Sequence, residues 1–181
     1  MRKLLIPIAA LSALFLPAAA FADLPVGTKA PMFRTSVALG GKTMRFSLRQ
    51  NLRQGPVVVY FFPKAFTAGC TAEAHAFAEA TADFAAMGAT VVGLSADDLP
   101  TLRKFSTEEC RDKFAVGVAS PQIIKGFDVA LSRPGLSTAM TKRTSYVIAQ
   151  DGTITMVHSD MDYRDHMKLT LAAVKKLAAK R

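Results

Sequence analysis

The chain has 181 residues, half of them hydrophobic and a fifth charged, with a formal net charge of +9 at neutral pH. That length supports one domain with a substantial core rather than two, and the composition excludes both a disordered chain and a coiled coil. Cys70 and Cys110 are the only cysteines, which excludes a multi-disulfide scaffold and a cysteine-rich zinc site.

Residues 1–22 have the layout of a secretory signal. Arg2 and Lys3 give a positive start, Leu4 to Phe15 an apolar run too short to span a bilayer, and Ala20-Phe21-Ala22 the small-x-small pattern read at a cleavage site. Cleavage after Ala22 leaves one domain over 23–181; it removes two basic and no acidic residues, so the charge falls from +9 to +7. No later apolar stretch reaches membrane-spanning length, so the expectation is a periplasmic or secreted protein with no stable membrane insertion after cleavage. The basic residues are scattered apart from Lys175, Lys176, Lys180 and Arg181, and no aromatics interleave with them. A solvated cationic surface is expected, and no nucleic-acid partner.

In chain order, two apolar segments between Met32 and Leu48 flank Gly40-Gly41 and read as a hairpin. Pro56 to Phe62 is almost continuously apolar and β-prone, as a strand covered on both faces should be, and Pro63 stops it. After a loop from Lys64 to Ala68, Phe77, Ala80, Phe84 and Met87 recur at helical spacing, so a helix is expected from near Gly69 to Met87, ended by Gly88. Ala89 to Ser95 reads as a second buried strand, and Asp97-Asp98 with Pro100 as a helix start leading toward Cys110. A short strand over Phe114–Val118, a short helix or turn over Pro121–Phe127 and a loop over Ser132–Thr141 follow. Thr144–Ala149 and Thr153–His158, joined through Asp151-Gly152, form a second hairpin. A last amphipathic helix carries Met167, Leu171, Val174 and Ala178 on one stripe. This order implies an α/β fold: a mixed central sheet with helices on both faces and an N-terminal β-hairpin.

Cys70 falls in the first turn of the helix after the strongest strand. Unpaired backbone N–H groups and the positive end of the helix dipole favour a thiolate there, and the thiolate is the nucleophilic form. Position alone leaves a merely packed cysteine as an equal reading.

The neighbouring residues carry more. Pro63, Thr67 and Cys70 match the Pro-x-x-x-Thr-x-x-Cys signature of peroxiredoxins, and Phe62-Pro63-Lys64 with Gly69-Cys70-Thr71-x-Glu73 resembles the Q-type, or bacterioferritin-comigratory, subgroup. The resemblance extends over Gly93-Leu-Ser-Ala-Asp97 and Lys142-Arg-Thr-Ser-Tyr-Val-Ile148. Ala68 departs from it, since the subgroup usually has proline there, and the loop should be slightly looser as a result. The resemblance implies a thioredoxin-like fold and a thiol peroxidase acting on hydrogen peroxide and organic hydroperoxides. In it Cys70 becomes a sulfenic acid, Pro63 shields the thiolate from water, Thr67 hydrogen-bonds the peroxide, and Arg143 stabilises thiolate and developing charge. Arg143 suits that role as a permanent cation with fixed donors; Lys142 should point to the opposite strand face. The resemblance calls for no cofactor and no metal.

In many Q-type members a resolving cysteine lies five residues after the first, where this chain has His75. One turn before Glu79, His75 reads as half of a solvated His–Glu pair. Cys110 is then the sole internal resolving candidate; it resembles a second Q-type arrangement with that cysteine on the following helix, and a Cys70–Cys110 disulfide would require local unfolding. Otherwise an external thiol resolves a one-cysteine enzyme. The expected partners are a hydroperoxide and a thioredoxin-like or small-thiol reductant. Absence of a Gly-Gly-Leu-Gly segment and of a C-terminal Tyr-Phe tail suggests a monomer or dimer rather than a ring.

Three rivals remain. A disulfide oxidoreductase would need a second cysteine at position 73, which is glutamate, and a thioredoxin-like copper chaperone one at position 74, which is alanine. A static Cys70–Cys110 disulfide would leave Pro63, Thr67 and Arg143 without a role.

Overall fold

The computed structural model describes residues 23–131 and 140–180. The proposed signal at 1–22 and most of the loop expected over 132–141 lie outside the described residues.

The first hairpin is β1 (Arg34–Leu39) and β2 (Lys42–Ser47), antiparallel about Gly40-Gly41, and a single turn of helix, α1 (Leu48–Leu52), follows it. The strand read from the apolar run is β3 (Val57–Phe61), every residue of it buried. Next come α2 (Ala68–Ala86), β4 (Thr90–Ser95), α3 (Leu99–Glu108), β5 (Ala115–Val118) and α4 (Pro121–Gly126). The second hairpin is β6 (Thr144–Ile148) with β7 (Ile154–Ser159), and α5 (His166–Ala178) ends the fold.

Seven strands form one sheet in the order β2-β1-β5-β4-β3-β6-β7. The central pairs β3·β4 and β4·β5 are parallel and all others antiparallel. This is the mixed α/β sandwich that the element order implied, and its parallel centre explains the uninterrupted apolar runs of β3 and β4. One core layer joins Tyr60 and Phe62 to Phe77 and Phe84 of α2, Leu102 and Phe105 of α3 and Val174 of α5. The other packs Val57, Val59 and Phe61 against Leu48 of α1 and Ile123 and Ile124 of α4. Alternate residues of β3 therefore face opposite layers, and truncating one such phenylalanine typically destabilises by about 3–5 kcal/mol.

Local signals explain the boundaries. Asp98 caps α3 by accepting from Thr101 N at 2.9 Å, with Pro100 in the first turn. Gly88, at φ 70°, takes the left-handed turn that releases α2 into β4. Gly93 sits opposite Tyr60 in the β3·β4 register, and a Cβ there would come within 2.7 Å of the tyrosine hydroxyl oxygen.

Two expectations change. Cys110 lies two residues beyond the end of α3, in the turn that leads to β5. The buried line of α5 runs through His166, Thr170 and Val174, while Met167 and Leu171 pack only at its margin. Two polar residues thus occupy the centre of a face that an apolar pattern alone could not locate.

Candidate active site

Pairing of β6 with β3 builds the site, because Phe61 at the end of β3 lies opposite Thr144 at the start of β6. The chain leaves β3 through Pro63 and returns as α2, so residue 143 faces the start of that helix. Thr67 is the N-cap of α2 and Cys70 its third residue, and the first helical bond runs from Thr71 N to Thr67 O at 2.9 Å. The N–H groups of Ala68, Gly69 and Cys70 therefore lack carbonyl partners within the helix and leave positive potential at the thiol.

Cys70 is 1% exposed and Arg143 4% exposed. Arg143 Nη2 donates to Cys70 Sγ at 3.4 Å, Nη1 donates to Glu73 Oε2, and Nε donates to Met161 O at 3.0 Å. Three directed bonds fix the guanidinium plane, a task that a lysine could not perform. Lys142 instead pairs with Asp23 at 2.7 Å. The lack of a Cβ on Gly69 admits the cation, since one there would lie 3.3 Å from Arg143 Nη2.

The loop before the helix is held in an unusual shape. Phe66 adopts φ 62°, a left-handed conformation that costs about 1–3 kcal/mol for such a residue. Asp97 secures it by accepting from Ala65 N and from Ser95 Oγ, both at 2.7 Å. Phe66 also packs edge-on against Phe105, with ring centroids 5.2 Å apart. Pro63 is buried. Thr67 is exposed, and its hydroxyl donates to Lys64 O at 3.0 Å rather than bonding Cys70 or Arg143.

The pattern reading assigned no role to Glu73 or His166, both 0% exposed. Glu73 was visible as the residue three after the thiol, on the face obtained by extending the Phe77–Phe84 stripe back one turn. Burial drives its carboxyl up to about 8, against the opposing pull of Arg143. Burial likewise drives His166 down to about 4, although its ring bonds the Asp160 carbonyl. Tyr60 lies in the same layer with its hydroxyl unpartnered among the described residues; burial, then Cys110, Glu73 and Cys70, hold it well above the ordinary tyrosine value.

These shifts predict a pH dependence of stability. Glu73 binds its proton more tightly when folded, so its contribution is full below 4.5 and lost as pH rises toward 8. His166 binds its proton less tightly when folded, so its contribution is present above 6.5 and lost as pH falls toward 4. The two oppose each other up to 6.5; from there to 8 only the Glu73 loss acts, amounting to at most about 2 kcal/mol. Urea midpoints at both ends of that window should fall with pH in the wild type and stay level in Glu73→Gln. An equal fall in both proteins would rule Glu73 out as the source.

Both cysteines are free, so the resting structure holds no Cys70–Cys110 bond. Cys110 is 0% exposed, and burial, with Glu109 and Asp112 beside it, pushes its thiol far up. His75 corrects another expectation. Its Nε2 lies 2.7 Å from Glu109 Oε2, beside Cys110, whereas Glu79 pairs with Arg111 at 3.3 Å. The α2 face that carries His75 looks toward the end of α3 rather than along its own helix. Among the described residues no three His, Cys, Asp or Glu side chains converge as metal ligands would.

A thiol at a helix start, a buried arginine on its sulfur and a thioredoxin-like sheet define a thiol-dependent redox enzyme. The AhpC/TSA family model matches residues 26–157, and the chain belongs to that family. A Haemophilus influenzae protein named as a peroxiredoxin, bcp, is 26% identical over 156 residues, covering 85% of this chain and 98% of that protein. A chloroplastic peroxiredoxin Q of Populus jackii is 32% identical over 141 residues, covering 77% of this chain and 62% of the plant protein. Among solved structures, peroxidoxin BcpB from Mycobacterium tuberculosis superimposes with a TM-score of 0.71 at 30% identity, over 84% of this chain and 97% of that one. Fold, family and relatives make this chain a peroxiredoxin-type, thiol-dependent peroxidase.

Proposed function

We propose that Cys70 is the peroxide-reducing nucleophile of this enzyme and that the chain works in an exported compartment. The observation that carries the first part is the Arg143 guanidinium held 3.4 Å from Cys70 Sγ at the first turn of α2. Arginine and helix N–H groups both favour the thiolate and the charge that develops on the leaving oxygen.

In the reaction the thiolate sulfur attacks the outer oxygen of the hydroperoxide. The S–O bond forms as the O–O bond breaks, sulfur is oxidised by two electrons, the outer oxygen keeps its hydrogen as the sulfenic acid, and the inner oxygen departs as alcohol or water on taking a proton from solvent. Thr67, close by in sequence at the mouth of the loop, orients the peroxide by releasing its bond to Lys64 O, and Pro63 keeps water from the sulfur. The sulfenic acid then condenses with Cys110, releasing water and leaving a Cys70–Cys110 disulfide for a thioredoxin-like donor to reduce. One-cysteine chemistry with an external thiol is the second reading, favoured by the complete burial of Cys110.

Mixing fully reduced protein with hydrogen peroxide tests the nucleophile. The wild type should consume peroxide and lose thiol in parallel, and Cys70→Ser should do neither; peroxide loss in Cys70→Ser would reject the assignment. Export rests on Arg2-Lys3, the short apolar run and Ala20-Phe21-Ala22. The mature protein should begin at Asp23 by intact mass, and recovery of the full-length chain from the cytoplasm would reject export. A monomer or dimer is the assembly this reading expects.

A further inference from the structure

Glu73 uses only one of its two carboxyl oxygens. Oε2 accepts from Arg143, whereas Oε1 is buried and has no hydrogen-bond partner among the described residues. An ionised carboxylate oxygen left dry and unpaired is strongly penalised, and a proton on that oxygen removes the penalty.

His166 stands across from it, with Nδ1 3.7 Å from Oε1. Its other nitrogen sets the tautomer: Nε2 lies 2.9 Å from Asp160 O, a carbonyl that can only accept, so Nε2 carries the hydrogen. In the neutral ring Nδ1 is therefore an acceptor, taking the Ser145 hydroxyl hydrogen at 2.8 Å, with Glu73 Oε1 3.7 Å away. The ring therefore offers Oε1 no hydrogen, and a proton on Oε1 itself is what spares the core an unpaired negative charge. Burial puts that proton on the oxygen, since it raises Glu73 to about 8 and lowers His166 to about 4.

The surrounding charges belong to few groups. Arg143 on the entry to β6 and Tyr60 on β3 face Glu73, and Cys70 on α2 shares Arg143 with it. His158 on β7, with ring centroids 4.6 Å apart, Asp160 and Arg143 face His166. Arg143 opposes a proton on either member, and His158 adds a further disincentive to a second proton on the His166 ring.

We propose that Glu73 and His166 form a buried dyad with one proton, carried on Glu73 Oε1 against a His166 ring that Ser145 and the Asp160 carbonyl hold neutral, and that His166 is thereby a positioning residue that leaves the Arg143 charge to the Cys70 sulfur. Arg143 bonds both Glu73 and Cys70. With Glu73 ionised, the guanidinium is neutralised by a carboxylate that also repels the thiolate. With Glu73 protonated, the sulfur is its one anionic partner. The catalytic consequence rests on Cys70 being the peroxide-reducing nucleophile; the proton itself does not.

Carbon-13 carboxyl spectra of the reduced wild type need no variant. A protonated glutamic acid should be present at about pH 6, two units below the expected titration. It should titrate near 8 and be missing from Glu73→Gln. Alkylation of Cys70 by iodoacetamide at neutral pH then reads the coupling. His166→Gln keeps an amide donor for the Asp160 carbonyl and removes the neutral ring that walls off Oε1, so Glu73 should ionise more readily and alkylation should slow about tenfold, the effect of one unit in a charge equilibrium. Adding Glu73→Gln to His166→Gln should restore the rate, because the amide cannot ionise, whereas purely structural damage would persist in the double variant. Absence of the protonated signal at that pH, an unchanged rate in His166→Gln, or a loss that the second substitution fails to restore would each overturn the dyad. Alkylation consumes no peroxide, so failure of peroxide turnover would count against the proposed reaction and leave this test readable.

Discussion

Replacing Arg143 with alanine is expected to slow peroxide reduction by about 10²–10³-fold, the usual effect of removing one preorganised charge stabiliser. The side chain meets the condition behind that figure: it is nearly inaccessible, and its Nε bond to Met161 O and Nη1 bond to Glu73 hold Nη2 on the sulfur before any substrate arrives. No reorganisation is then needed as charge develops. Loss of the cation would ordinarily leave a buried carboxylate unpaired, at about 3–5 kcal/mol. With Glu73 already carrying the proton that the dyad assigns to it, no such charge is left, so the fold should survive Arg143→Ala with a smaller penalty. Arg143→Lys should fall between the two, because it restores a charge without the planar set of donors. Single-turnover rates with hydrogen peroxide, alongside urea unfolding, separate chemistry from folding. Full activity in Arg143→Ala would remove the arginine from the mechanism.

One equivalent of peroxide should convert the reduced protein into a form linked between Cys70 and Cys110. The resting core opposes this product, since the two thiols are 1% and 0% exposed and Cys110 is held in its protonated form. The Cys70 turn and the segment after α3 have to loosen together. Among the contacts that hold these segments are the 2.7 Å bond that Ala65 N donates to Asp97 and the 2.7 Å His75–Glu109 bond tying α2 to the residue before Cys110. Opening of this kind is local unfolding, and it should limit the rate of disulfide formation without limiting peroxide attack. In Cys110→Ser the sulfenic acid should persist, climb to irreversible acids under excess peroxide, and lose turnover with a thioredoxin-like donor. Peptide mapping after stoichiometric oxidation checks it. Equal accumulation of Cys70 sulfenic acid in wild type and Cys110→Ser, with no linked peptide, would establish the one-cysteine mechanism instead.

Much of the architecture was legible because it depends on periodic burial and local turn chemistry. The unbroken apolar runs of β3 and β4 announced strands covered on both faces, Gly40-Gly41 and Asp151-Gly152 marked both hairpins, and Asp98 with Pro100 marked the start of α3. The single turn α1 and the polar centre of α5 escaped, the first because five residues carry no period and the second because His166 and Thr170 look solvent-facing in a hydrophobicity pattern. The segment from Pro63 to Cys70 was equally legible, since a thiol in the first turn of a helix has its environment set by adjacent backbone.

The sequence by itself therefore determined most of the order of elements and, through the resemblance carried by the segments around Cys70 and Arg143, the candidate nucleophile and the candidate arginine. Only the tertiary structure decided what surrounds that arginine. Glu73 and Arg143 are 70 residues apart, and His75 and its partner Glu109 are 34 apart. Their meeting depends on β3 pairing with β6 and on α2 packing beside the end of α3. A buried ionisable group reads in sequence as a surface one, because the desolvation that shifts its proton affinity comes from residues that only the fold brings near.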